Sequence, residues 1–266
     1  MSVDPATFSI VTSIIVAVAR EMSTDLLRTA YSSIIREAAD ASTGLLDRDG
    51  NAIAQAENIP IHLNSMGPAL RECLKVYGLS ELTPQSVLVS NDPYSGGQHL
   101  SDVFFFSPIF SGDEVVAFAG SCGHFQELGG SSGYNLRAQD VFQERLRLIP
   151  MKFELGRDWP DGMFARLIRG NVRSPREVIG DMNAMLAANK KGVVRMTSAL
   201  KRYGKDTLLE CMGGYLDYCE RMLRDRIAQA PDGVYEGEDW IDDDGLNSGP
   251  IRIAVSVEIA GNEVHV

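Results

Sequence analysis

The stretch that decides the fold is residues 99–124, HLSDVFFFSPIFSGDEVVAFAGSCGH. It contains two apolar runs, at residues 103–110 and 114–119, which Ser111-Gly112-Asp113 separates. Runs of this kind that flank a glycine-containing turn are typical of a β-hairpin. We therefore predict two antiparallel strands here, with the two ends of the stretch meeting at the open end of the hairpin.

That open end collects residue types that bind metals. His99 and Asp102 are three residues apart, in a loop that Asp92-Pro93 and Gly96-Gly97 allow to bend. His124 returns to the same end at the close of the second strand. Imidazole nitrogen together with carboxylate oxygen suits Zn, Mn or Fe(II). Spacing alone leaves a plainer alternative open, in which His99 satisfies loop carbonyls and His124 is a buried core histidine.

Cys122 offers a different chemistry at the same place. It lies two residues before His124 on the predicted strand, so both side chains face one side of the sheet. A thiol–imidazole pair can supply a nucleophile, and the alternative is an ordinary buried thiol. The chain has four cysteines and no CxxC pair, which favours a reducing, cytoplasmic environment over a disulfide framework.

The remaining patterns predict an α/β protein of the α+β type. It has a long N-terminal helix, mixed or antiparallel hairpins that carry a metal loop, a helical region and C-terminal strands. The predicted regions are a metal-site α/β region at 1–160, a helical region at 161–230 and the start of a β region at 231–266. The predicted elements are helices at 5–32 and 68–76, a hairpin of 43–46 with 52–55, a strand at 86–90, a loop at 123–140, helices within 162–229 broken near 170–175, and strands at 233–241, 251–259 and 263–266.

The charge balance excludes some partners. Asp and Glu number 36 against 25 Lys and Arg, a net charge of -11, so nucleic acid and anionic membranes are not expected partners. The apolar run at residues 8–19 is too short and too polar for a signal peptide or a membrane span. Neither a glycine-rich phosphate loop nor a basic cluster near the predicted site is evident, so we expect nucleotide chemistry to lie elsewhere.

The chain ends inside a predicted hairpin, on Val264-His265-Val266. We expect from this that it is a fragment of something longer and that residues 251–266 present an unpaired strand edge. An edge of that kind favours dimerisation or aggregation of the isolated chain.

Several segments together resemble a known family. The resemblance is carried by Asp4-Pro5, Arg28-Thr29-Ala30, Asp40 before Gly44-Leu45-Leu46-Asp47, Ile59-Pro60-Ile61-His62-Leu63, Asn91-Asp92-Pro93-Tyr94, Gly96-Gly97-Gln98-His99-Leu100-Ser101-Asp102 and Gly123-His124. In these segments the chain is similar to the N-terminal half of the B-type subunit of the hydantoinase/oxoprolinase family. The resemblance extends over nearly the whole chain, and the stretch from Asn91 to Asp102 is its most specific part.

The resemblance implies one half of an ATP-dependent enzyme. It places the ligands of a divalent metal, Zn first and Mn as the alternative, on Asp40, His99, Asp102 and His124. ATP is bound by an A-type ATPase partner in a hetero-oligomer, and the pair opens cyclic amides such as hydantoins, oxoproline or lactams. Two alternatives remain: one component of an ATP-dependent ketone carboxylase, of the acetone or acetophenone type, and a truncated assembly subunit without catalysis.

At three places the sequence departs from the family pattern, and these departures affect the prediction of the substrate more than that of the metal site. Phe125 stands where many members have a second histidine, Glu127 stands for a common aspartate, and Gln143-Glu144-Arg145 replaces a Glu-Glu-Gly stretch. We interpret Glu127 as a general base, the alternative being a solvated loop carboxylate. His62 is interpreted as a structural loop histidine and not as a ligand.

Overall fold

The computed structural model describes residues 3–131, 138–245 and 248–266. These described residues form two compact units, the first within Met1–Asn135 and Asp140–Met212 and the second within Leu136–Gln139 and Gly213–Val266. The predicted loop at 123–140 is described only outside residues 132–137. No helix in the described part of the chain is both long enough and apolar enough to cross a membrane.

The first unit is built on a six-stranded antiparallel sheet in the order β2-β1-β5-β4-β3-β6. Its strands are β1 (Ala41–Asp47), β2 (Ala52–Gln55), β3 (Ser86–Ser90), β4 (Asp102–Ser111), β5 (Glu114–His124) and β6 (Met151–Glu154). The predicted hairpins are confirmed as the β1–β2 and β4–β5 pairs. The second hairpin extends to His124, which pairs with Asp102, and β5 lies between β4 and β1.

Helices cover both faces of this sheet, which is why its central strands are apolar at nearly every position. The helices of the chain are α1 (Pro5–Thr29), α2 (Ser33–Arg36), α3 (Pro60–Val76), α4 (Val141–Glu144), α5 (Met163–Asn171), α6 (Pro175–Tyr203) and α7 (Lys205–Ile227). On one face Phe104, Phe106 and Phe118 pack with Met66 and Leu70 of α3. On the other face α1 and α6 lie together against the sheet.

Gly192 is a point of close approach between α6, α1 and the sheet. A Cβ atom there would lie 2.5 Å from Sδ of Met22 in α1 and 2.9 Å from Cβ of Ala119 in β5. Because α6 packs so closely on α1 and the sheet, the structure places no unit boundary at residue 160. The predicted helical region is thereby split, with α5 and α6 in the first unit and the second unit beginning inside α7.

Four features differ from the sequence prediction. The N-terminal helix ends at Thr29, and α2 is a separate turn after it. Helix α3 begins at Pro60 and continues through Pro68, which the prediction took as its start. Strand β6 was not predicted, because four residues carry too little alternation to be recognised. Gly204, at φ +83°, adds a second break to the helical region.

The second unit contains the predicted C-terminal strands as a three-stranded antiparallel sheet, β7 (Gly233–Ile241), β8 (Ile251–Ala260) and β9 (Glu263–His265). Strand β8 pairs on both sides, so within residues 251–266 the expected unpaired edge lies on β9, and β7 forms the other edge of this sheet. The side chains of Ile253 and Val255 on β8 are exposed.

Candidate metal centre

Five side chains converge at one end of the six-stranded sheet, and each comes from a different segment. Asp102 opens β4 and His124 closes β5, directly opposite each other in the hairpin register. Asp40 precedes β1, and its carbonyl accepts a hydrogen bond of 3.0 Å from the backbone N–H of His124. His62 lies in the first turn of α3, and His99 lies in the loop before β4.

Asp102 is the centre of the cluster. Its Oδ1 lies 3.0 Å from Nδ1 of His124, and its Oδ2 lies 3.1 Å from Nε2 of His99 and 3.4 Å from Nε2 of His62. Asp40 lies further out, with Oδ1 3.7 Å from Nε2 of His62 and Oδ2 3.8 Å from Nδ1 of His124. The rings of His99 and His124 have centroids 4.9 Å apart. The structure therefore brings all four sequence-predicted ligands together.

The electrostatics of the cluster are those of a buried carboxylate held by imidazoles. The Asp102 side chain is 1% exposed. Burial raises the pKa of Asp102, but the hydrogen bonds from His124, His62 and His99 outweigh it and hold the pKa well below its usual range. The hydrogen bond to Asp102 in turn raises the pKa of His99. Asp102 is therefore an anion that orients three rings.

The donor set fits a divalent cation. Donor atoms of His99, Asp102 and His124 lie within 4.8 Å of one another, and so do those of His62, Asp102 and Cys122. Imidazole nitrogen and carboxylate oxygen are the ligands of zinc and related metals in proteins. Metal ligation by these residues stays a prediction, whereas their proximity is a property of the fold.

His62 was misplaced by the sequence interpretation. It lies in a helix and not in a loop, it is 1% exposed, and it contacts both carboxylates of the cluster. Its Nδ1 lies 3.3 Å from Oγ of Ser42, which fixes the ring from the other side. The missed signal is Pro60: proline is favoured in the first turn of a helix, and a start there places His62 at its inner side.

The thiol alternative is not favoured by the surroundings of Cys122. The side chain is buried in the core with Phe104 and Phe118. Burial raises the pKa of the Cys122 thiol well above its usual value, and the charges of Asp102 and Asp40 raise it further. A thiol that stays protonated is a weak nucleophile.

The Glu127 carboxylate forms hydrogen bonds with residues outside the histidine cluster. One carboxylate oxygen accepts the backbone N–H of Gly129 at 2.7 Å, and the other accepts that of Arg173 at 2.7 Å. The Arg173 guanidinium lies 3.3 Å from the same carboxylate. These contacts tie the loop after β5 to the segment before α6, and the general-base role of Glu127 stays a prediction. Phe125 is buried, and its N–H donates to the carbonyl of Ser101 at 2.8 Å.

The loop that carries His99 is fixed at its base by Asn91 and Asp92. The Asn91 amide donates to the carbonyls of Leu100 at 2.7 Å and Leu146 at 3.0 Å, and its oxygen accepts the N–H of Leu148 at 2.6 Å. Both Asp92 carboxylate oxygens accept hydrogen bonds from Arg147. These bonds hold both ends of the loop in register with residues 146–148.

Comparison with known proteins places this geometry in a family. A sequence model of the Hydantoinase B/oxoprolinase family matches residues 4–266. The beta subunit of the caprolactamase of Pseudomonas jessenii is 33% identical over 271 residues, covering 100% of this chain and 46% of the relative. The B-type subunit of a putative D-/L-hydantoinase from Pseudomonas sp. (strain NS671) is 30% identical, covering 99% and 46%.

Solved structures agree with these matches. The crystal structure of the ATP-dependent caprolactamase from Pseudomonas jessenii superposes with a TM-score of 0.92 at 32% identity, over 100% of this chain and 46% of that chain. A nucleotide-free acetone carboxylase shares the fold at a TM-score of 0.88 and 15% identity, over 97% and 36%. The chain thus spans about half the length of the curated relatives it matches. With the family pattern matched from residue 4 to residue 266, the chain belongs to the Hydantoinase B/oxoprolinase family.

Proposed function

We propose that this chain is the metal-binding part of an ATP-dependent enzyme that hydrolyses cyclic amides, and that it acts with an A-type ATPase subunit. The observation that carries the proposal is the convergence of three histidines and two aspartates at one end of the sheet. The relatives named as a caprolactamase, a D-/L-hydantoinase and a 5-oxoprolinase support the reaction class.

Asp40, His99, Asp102 and His124 hold the metal in this proposal, and His62 is a fifth donor beside them. A bound divalent cation, zinc first and manganese as the alternative, supplies a Lewis acid that polarises an amide carbonyl. The protein itself supplies orientation, because the buried Asp102 fixes the three rings through its hydrogen bonds. His99, whose side chain is 41% exposed, is the most open of the three histidines.

The names of two relatives support the division of labour in this proposal. The caprolactamase relative is named as one subunit of an enzyme, and the solved caprolactamase is described as ATP-dependent. We therefore assign ATP binding to the partner, and substrate turnover to the assembled enzyme. The general-base role predicted for Glu127 is not part of this proposal, because Gly129 and Arg173 already occupy its carboxylate.

The test uses the full-length protein with its ATPase partner. The metal content is measured after purification, and ATP-dependent ring opening is assayed on lactams, hydantoins and oxoproline, with ketones plus bicarbonate as a separate arm. His99→Ala is expected to lose bound metal and ring opening together. His265→Ala is the matched control, because that histidine is 65% exposed and lies in the second unit.

The outcomes separate the alternatives. Ring opening that needs both ATP and metal supports the proposal. Consumption of ketone and bicarbonate with no ring opening replaces it with the carboxylase. A complex that retains its metal in His99→Ala, or that turns over no substrate of either class, contradicts it.

A further inference from the structure

A second set of polar groups lies next to the histidine cluster, around a surface pocket of about 450 Å³. Arg145 and Arg147 line this pocket, together with the exposed apolar side chains of Phe142 and Ile149. The described residues that line it include no carboxylate. The two arginines give the lining of this pocket guanidinium N–H donors, while the charge of Arg147 is paired with that of Asp92.

Arg147 is held in place by its partners. It donates from Nε at 2.9 Å and from Nη2 at 2.8 Å to the carboxylate of Asp92. Its guanidinium also lies 5.5 Å from the ring centre of Tyr94 and 5.9 Å from that of Phe142. A guanidinium has five N–H donors in a planar fork, and two of them go to Asp92. The group is thus oriented in advance for a further planar or tetrahedral oxygen ligand.

Arg145 connects the pocket with the histidine cluster. Its side chain is 6% exposed, and Nη1 donates at 3.0 Å to the carbonyl of Gln126, two residues after His124. Because Gln126 follows His124 so closely in the chain, this bond joins the lining of the pocket to the segment that carries the cluster.

Backbone geometry closes one wall of the pocket. Gly129 and Gly130 have φ angles of +75° and +72°. A Cβ at Gly130 would lie 2.2 Å from the carbonyl oxygen of Glu144, and one at Gly129 would lie 2.7 Å from that of Asn171. Because neither position admits a side chain without displacing backbone, this wall is tightly packed and the pocket keeps its shape.

We propose that this pocket binds an anionic oxygen group of the substrate, phosphoryl or carboxylate, beside the histidine cluster. Arg145 and Arg147 bind the oxygens, and Phe142 and Ile149 contact the hydrocarbon part. This inference adds to the proposed function a chemical group that the substrate would carry. Its role in catalysis rests on the proposed function. The binding itself is testable without turnover.

The experiment is a calorimetric titration of the full-length protein with inorganic phosphate and, separately, with glutarate. The protein is first freed of metal with a chelator that is then removed, so that anion binding to a metal ion does not contribute. Ile149 is 53% exposed at the rim, so substitutions there leave the packing intact. Relative to the neutral Ile149→Gln, Ile149→Glu is expected to weaken binding by about tenfold and Ile149→Lys to strengthen it similarly.

Binding of either anion with this order of affinities supports the proposal, and the stronger of the two identifies the group. Absence of binding by both anions, or equal affinity in the Glu, Gln and Lys variants, overturns it. Ring opening by a complex whose pocket binds neither anion would leave the proposed function standing and remove only the pocket. Anion binding without any turnover would support the pocket and contradict the proposed function.

Discussion

Replacing Asn91 by aspartate changes one NH2 group to an oxygen and should nevertheless be among the most damaging substitutions in the chain. The Asn91 side chain is fully buried, and its NH2 donates to two carbonyls, those of Leu100 and Leu146. In Asn91→Asp an acceptor faces both carbonyls. Only the bond from the N–H of Leu148 to Oδ1 is kept.

The magnitude follows from these three bonds. Each lost amide–carbonyl bond costs about 1 kcal/mol, and each buried acceptor left without a donor adds about 1–3 kcal/mol. Two of each kind give a loss of roughly 4–8 kcal/mol, a large part of the ~5–15 kcal/mol by which a domain is stable. The loop that carries His99 is anchored through the same bonds, so we expect metal affinity to fall together with stability.

Urea unfolding of both proteins, monitored by circular dichroism, gives the comparison. Asn183→Asp is the matched control, because the Asn183 amide oxygen accepts the indole N–H of Trp159 at 2.8 Å, and aspartate keeps that acceptor. The control should change the free energy of unfolding by less than about 0.5 kcal/mol. A loss below about 1 kcal/mol in Asn91→Asp, or equal losses in both variants, would refute the reasoning.

Three further outcomes are expected. Zinc should raise the melting point of the wild-type protein, an effect worth about 2.7 kcal/mol at a hundredfold excess over Kd, and His124→Ala should lose this increase. An equal zinc effect in both proteins would contradict the site. A thiol reagent should modify the exposed Cys219 and not the buried Cys122, which peptide mapping will measure. Rapid labelling of Cys122 would support the alternative in which its thiol is a nucleophile. Burial raises the pKa of Asp92, but its hydrogen bonds, chiefly from Arg147, lower it overall. The stability advantage of the wild-type protein over Asp92→Asn should therefore be complete above about pH 4 and shrink below it. A constant difference in the free energy of unfolding from about pH 6 to about pH 3 would count against this.

The hairpin at the centre of the fold was predictable because its information is local. Ser111, Gly112 and Asp113 form a turn between two apolar runs, and the register that this turn sets brings Asp102 opposite His124. The long N-terminal helix was predictable for the same reason, since the Asp4 side chain caps it and accepts from two backbone N–H groups.

The rest of the cluster was not accessible to local patterns. Asp40 precedes a strand with no motif of its own and came only from the family resemblance. His62 was missed because a proline inside α3 was taken for the start of that helix. Arg145 and Arg147 lie in a segment without periodicity, so the sequence did not reveal a basic pocket next to the site.

The position of β5 determines when the cluster can form during synthesis of the chain. It is the last to emerge of the strands that hold the cluster, and it inserts between β1 and β4, two strands that do not pair with each other. Until β5 has left the ribosome, the β1–β2 hairpin and the β3–β4 pair are separate pieces, and Asp102 is without its partner on the facing strand. A nascent chain stalled before residue 124 therefore exposes to water a carboxylate that the finished fold buries. Pairings of such long sequence separation form slowly, so closure of the sheet and enclosure of Asp102 should be one late, cooperative event.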